Sequence, residues 1–96
     1  MQLPPVPYLE QNQPNPFPLT TAIHYRIDRT LPVRLGVFDT YGREVADLVC
    51  KVQDPGFYSQ TFDPAKYLLP HGIYFAHLST GNISKSIRMV YLNNKK

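Results

Sequence analysis

Only one cysteine, Cys50, occurs in the 96 residues. A single thiol excludes an internal disulfide framework and any multi-cysteine metal centre, and in a strand it is expected to be free and buried. Tryptophan is absent, and charged residues make up 18% of the chain against 43% hydrophobic ones, which is too little charge for a disordered polymer and enough apolar material for a packed core. No apolar run approaches the roughly 20 residues that cross a bilayer as a helix, and the N-terminus lacks a basic-then-apolar export pattern. The chain as given is therefore expected to be soluble, without membrane insertion. Ten Lys and Arg against seven Asp and Glu leave a net charge of +3. That is far short of a nucleic-acid footprint, so no nucleic-acid partner is expected.

Proline is the residue in excess, and it is unevenly spread. Six of the ten prolines stand at positions 4, 5, 7, 14, 16 and 18. A stretch so rich in Pro, with Gln and Asn and Glu10 as its only charge, favours extended backbone and cannot pair as a central strand. Residues 1–18 are expected to form a linker, and residues 19–96 a single folded domain.

From Thr20 the period changes to two. Ile23, Tyr25 and Ile27 alternate with His24 and Arg26, and Val33, Leu35 and Val37 alternate with Arg34, Gly36 and Phe38, the signature of half-buried strands. Asp39-Thr40-Tyr41-Gly42-Arg43 reads as a hairpin turn, with Gly42 where positive φ is needed. Its partner strand, Glu44 to Lys51, is ambiguous, because Val45, Leu48 and Val49 also fit helical spacing; length favours a strand. Phe57 to Phe62 follows Pro55-Gly56. Asp63-Pro64 looks like the cap and first position of one helical turn. Ile73 to Ser79 and Ile83 to Leu92 flank the tight turn Thr80-Gly81-Asn82.

Short strands at this spacing, with no ten-residue helix, predict an all-β, immunoglobulin-like antiparallel sandwich of about seven strands. In such sandwiches a tyrosine near the start of the second-last strand turns its hydroxyl back to upstream backbone. Tyr74 fits that corner. It sets Ala76 and Leu78 inward beside it, and exposes Ile73, Phe75 and His77.

Chemistry is hard to find. No nucleophile elbow, phosphate loop, dinucleotide fingerprint or zinc-binding His-Glu pair occurs. His24, His71 and His77 have no short-range spacing to one another, and the acidic residues fall mostly at turns, where Asp side chains bond nearby amides. An enzyme is not expected, nor is a metal or a cofactor. After Asp63 the chain carries five basic residues and no acidic one. The C-terminal third is thus locally positive, and its basic residues either solvate the strand face and tail or meet an anionic partner.

Five stretches, in order, resemble a known family. Gln11-Asn12-Gln13-Pro14-Asn15-Pro16-Phe17 with Thr21-Ala22-Ile23-His24-Tyr25 is similar to the QNYPNPFNPxTxIxY opening of type IX secretion C-terminal sorting domains. Val37 to Ala46 resembles their VYDxxGREVA hairpin, Pro55 to Tyr58 with Phe62-Asp63 their next strand, Leu69 to Phe75 their LxSGxYF segment, and Lys85 to Leu92 their closing xxKMVLL strand. The sequence departs from the pattern at Gln13, at Pro18 and at Gln60, the last standing where an apolar residue usually points inward.

The resemblance implies an immunoglobulin-like domain, related to that of flagellar hook-capping proteins, carried behind an N-terminal cargo. Such a domain directs the cargo through the periplasm and the outer-membrane type IX translocon, for surface anchoring or release. Pro14, Asn15, Pro16, Phe17, Asp39, Gly42, Arg43, Gly72 and Tyr74 are then structural marks of the fold. Lys85, Arg88, Met89, Lys95 and Lys96 are the expected contacts to translocon components. The domain is expected to be a monomer. With no cargo before residue 1, the chain reads as an excised tail or a stand-alone version. The alternative is a non-catalytic structural or adhesive module that binds a protein or polysaccharide surface through Phe75, Tyr58 or neighbouring aromatics.

Overall fold

Alternation along each strand decides which side chains become the core. In the computed structural model, which describes residues 6–92, strand β2 (Thr21–Ile27) buries every second residue, with Ile23, Tyr25 and Ile27 inward. Val33, Leu35 and Val37 of β3 (Leu31–Phe38) and Tyr74, Ala76 and Leu78 of β6 (Gly72–Thr80) do the same. These apolar rows face one another across two antiparallel sheets. One sheet has the order β1-β2-β5, where β1 is Tyr8–Leu9 and β5 is Gly56–Phe62; the other has the order β4-β3-β6-β7, where β4 is Glu44–Gln53 and β7 is Ile83–Tyr91. Seven strands in this three-plus-four arrangement form the expected immunoglobulin-like sandwich, with β4 on the sheet of β3, β6 and β7.

The ambiguity of β4 has a physical source. Leu35 pairs with Val49 but Gly36 with Asp47, and Val37 pairs with Ala46 but Phe38 with Glu44. Two register shifts thus leave Leu48 and Val45 without opposite partners, and each inserts one residue that breaks the period of two. The buried residues Ala46 and Val49 are consequently three apart, which imitates helical spacing. The strand runs two residues beyond Lys51, and Gln53 is buried at its end. Cys50 is exposed on this edge rather than buried, because the shift at Leu48 sets Val49 inward and so turns its neighbour outward.

The short elements follow local rules. Asp63 caps a 3-10 helix over Pro64–Tyr67, its Oδ1 accepting from Ala65 N at 3.2 Å. Gly42, at φ 81°, and Gly81, at φ 60°, take the left-handed conformation in the β3–β4 and β6–β7 turns. Ile73, Phe75 and His77 are half-buried rather than exposed.

The largest departure concerns the expected linker. Residues 6–18 do not hang free. β1 pairs with β2, Gln13 exchanges two backbone hydrogen bonds with Ala22, and Phe17 is completely buried. The folded unit therefore begins well before Leu19, and takes in the Pro-rich segment from at least Tyr8 onward.

Candidate recognition surface

Prolines 14, 16 and 18 have no amide hydrogen to offer a ladder, so the segment that contains them needs other bonds to stay on the sandwich. Side-chain amides supply them. Gln11 Nε2 donates to Arg88 O at 2.7 Å, and Val90 N donates to Asn15 Oδ1 at 2.9 Å. Beyond these, Phe17 N donates to Val90 O at 2.9 Å and Leu92 N to Phe17 O at 3.0 Å. The segment is thereby a strap along the last third of β7. On its other side Asn12, buried, donates to Thr21 Oγ1 at 2.9 Å and to Pro14 O at 3.1 Å, while Thr21 Oγ1 donates to the same Pro14 carbonyl at 2.8 Å. Phe17 completes the anchor. Its ring stacks on Tyr91 at 5.4 Å and meets the edge of Phe62 at 6.1 Å.

The hairpin after β3 is organised by one carboxylate. Asp39 Oδ1 accepts from the amides of Tyr41 (2.9 Å) and Arg43 (3.0 Å), and its Oδ2 accepts from Arg43 Nε at 2.9 Å. Partial desolvation pushes the Asp39 carboxyl up, but the bonds from Arg43 and Tyr41 and the guanidinium charge outweigh it and hold the group below its ordinary value. Nearby, the Tyr74 hydroxyl donates to Pro70 O at 2.6 Å. This is the tyrosine corner, reaching back four residues. Burial, with smaller contributions from Asp39 and Tyr91, raises the pKa of that hydroxyl.

Hairpin and corner adjoin. Asp39, Arg43, Gly72 and Tyr74 line one shallow cleft of about 260 Å³. Gly72 pairs with Tyr91, and the His71 ring stands edge-on to Tyr91 at 4.8 Å, which connects this cleft to the strap. Pro14, Asn15, Pro16 and Phe17, Asp39, Gly42 and Arg43, and Gly72 and Tyr74 thus gather at one end of the sandwich.

The expected contact residues do not gather. Lys85 is exposed at the opposite end of β7, where it pairs with Leu78, and Arg88 is exposed near the middle of the strand. Met89 is fully buried in the core, so it cannot touch a partner of the folded domain. Lys95 and Lys96 lie outside the described residues. Of the aromatics expected to be available, Tyr58 stacks on Tyr25 at 5.3 Å and donates to Asp54 O at 2.6 Å, and Phe75 is half-buried beside Phe38. The freely exposed rings are Tyr41 and Phe57.

Composition and periodicity alone pass over Gln11 and Asn12, which act as structural ties. The usable signal is the alternation of amide side chains with prolines, in a segment where proline leaves fewer backbone donors and side-chain amides bond the neighbouring backbone. Among the described residues no group of three or more His, Cys, Asp or Glu is placed to hold a metal ion. Compared with protein-family models, with curated proteins and with solved structures, the chain matches none of them.

Proposed function

We propose that this chain is a sorting domain of the type IX secretion kind, an address that directs a covalently attached N-terminal cargo across the outer membrane for surface anchoring or release. The observation that carries this reading is the convergence of the family-like motifs. Segments far apart in sequence, Gln11 to Phe17, Asp39 to Arg43 and Leu69 to Tyr74, meet at one end of the sandwich, and each of their distinctive residues has a structural task there. An address needs a rigid, recognisable surface and no chemistry of its own. With Met89 in the core, the exposed basic residues Lys85 and Arg88 remain as the charged contacts of β7.

The test is a fusion of residues 1–96 behind a signal peptide and a fluorescent reporter, expressed in a bacterium with an active type IX system. Surface or medium fluorescence that disappears in a translocon-null strain is the expected result. Retention of a folded fusion in the periplasm of both strains contradicts the proposal. Truncation from Ser86 onward is a poor variant, since it removes Met89 and Tyr91 from the core; Lys85→Glu with Arg88→Glu keeps the core and lowers export if these cations make the contact.

A further inference from the structure

The outer face of the three-stranded sheet carries a second feature, unrelated to the strap end. Strand register places Tyr8, Arg26 and Phe57 opposite one another in a row across β1, β2 and β5. The next row holds His24 opposite Ser59, with Glu10 beside them through its amide bond to the His24 carbonyl. With strands about 4.8 Å apart, Tyr8 and Phe57 stand about 10 Å from each other on either side of Arg26, and the smaller His24 and Ser59 fill the row beside them. Tyr8, Glu10, His24, Phe57 and Ser59 line a shallow depression of about 340 Å³. That volume is at the lower end of the range for small-molecule sites.

We propose that this depression is a binding site for a neutral carbohydrate, with one sugar ring seated over His24 and Ser59 and flanked by Tyr8 and Phe57. Three observations support it. First, a sugar ring has apolar C–H faces and a rim of hydroxyls, and the site offers aromatic walls with polar groups between them. Phe57 is 77% exposed and therefore accessible to a ligand. Second, the polar groups are free. Among the described residues the side chains of Tyr8, Glu10, His24 and Ser59 make no hydrogen bond to the protein, so carboxylate, imidazole and two hydroxyls can all turn to a polyol. The outer face of the other sheet differs, for there His77 is bonded to Ser86 at 2.8 Å and Glu44 to Arg34 at 2.7 Å. Third, charge selects a neutral ligand. Glu10 and Arg26 bring one charge of each sign, and the Arg26 guanidinium lies beside the Phe57 ring, 5.6 Å from its centre, so the pair offers no net charge to an ion.

This inference is independent of the sorting proposal, because it is read on the isolated chain. Isotope-labelled residues 1–96 are titrated with neutral tetrasaccharides of glucose, mannose, galactose and N-acetylglucosamine, and with choline, glucosamine oligomers and oligogalacturonate as charged probes, while amide shifts are followed by NMR. The expected result is saturable binding of at least one neutral sugar with a dissociation constant of about 1 mM or tighter, shifting the amides of residues 8, 10, 24, 57 and 59. Phe57→Ala, at an exposed position that the fold does not need, weakens it about tenfold or more. Phe75→Ala, on the other sheet, leaves it unchanged. No saturable shift with any of the four sugars overturns the proposal. So do shifts that map elsewhere, binding indifferent to Phe57→Ala, or tighter binding of a charged probe.

Discussion

A few side chains carry most of what is specific to this sandwich. The Tyr74 hydroxyl is bonded to the Pro70 carbonyl, and its side chain is buried. Tyr74→Phe strands that acceptor, and a loss of about 1–3 kcal/mol is expected in urea unfolding, whereas Tyr8→Phe, which removes a hydroxyl without a hydrogen-bond partner among the described residues, changes nothing measurable. Thr80 presents the opposite case. Its Oγ1 is buried with no hydrogen-bond partner among the described residues, so Thr80→Val, equal in shape and free of the stranded hydroxyl, is expected to stabilise the domain by about 1 kcal/mol in the same assay. Titrating groups bound the pH range of stability, Asp39 on the acid side and Tyr25 and Tyr74 on the alkaline side. Because the folded-state pKa of Asp39 is depressed, its stabilisation is present above the ordinary carboxylate range and is lost as pH falls below about 4. Tyr25 is shifted the other way. Burial raises its pKa, so the stability tied to its neutral form, whose hydroxyl donates to Gln53 Oε1 at 2.6 Å, is present below about pH 10 and lost as pH rises through the raised value. Asp39→Asn is expected to flatten the acid limb of the stability profile and leave the alkaline limb in place.

Among the elements, the strap and β4 are the two that behave unlike their sequences. The strap is held by Asn15 and Gln11 side chains and by the Phe17 ring. Phe17→Ala opens a cavity among Phe62 and Tyr91 and is expected to cost about 3–5 kcal/mol, while Asn15→Ala removes one bond and costs about 1 kcal/mol. Both are measured by chemical denaturation. Composition conceals this element, because prolines exclude a regular ladder and Gln and Asn ordinarily face water. Only a fold that brings β7 alongside gives those amides backbone partners, Gln11 donating to Arg88 O and Asn15 accepting from Val90 N. β4 is concealed for a different reason. Its two register shifts displace the apolar residues from period two, and Val45, Leu48 and Val49 then fall at a spacing that suits a helix equally well.

For the whole molecule, strand alternation made the architecture legible. The core-facing residues of β2, β3 and β6 recur at period two, and the turn residues Gly42, Gly81 and Asp63-Pro64 stand where the chain reverses. The candidate site was legible only in fragments. Motif residues could be marked one by one, but their meeting at one end depends on the order β4-β3-β6-β7 and on the return of the strap to β7. Met89 shows the same limit, since a residue in a terminal strand is contact or core according to its parity, and that parity placed it inside. The outer-face depression needed β1 to fold back onto β2, which the linker expectation excluded. Both surfaces therefore depend on the strap being part of the domain. Amide hydrogen exchange at Val90 and Leu92 tests this most directly. Protection of both amides comparable to that of the β6 core, reduced at Val90 in Asn15→Ala, is the predicted result; exchange at the rate of an open chain while β6 stays protected would contradict it, and would return residues 6–18 to a free tether.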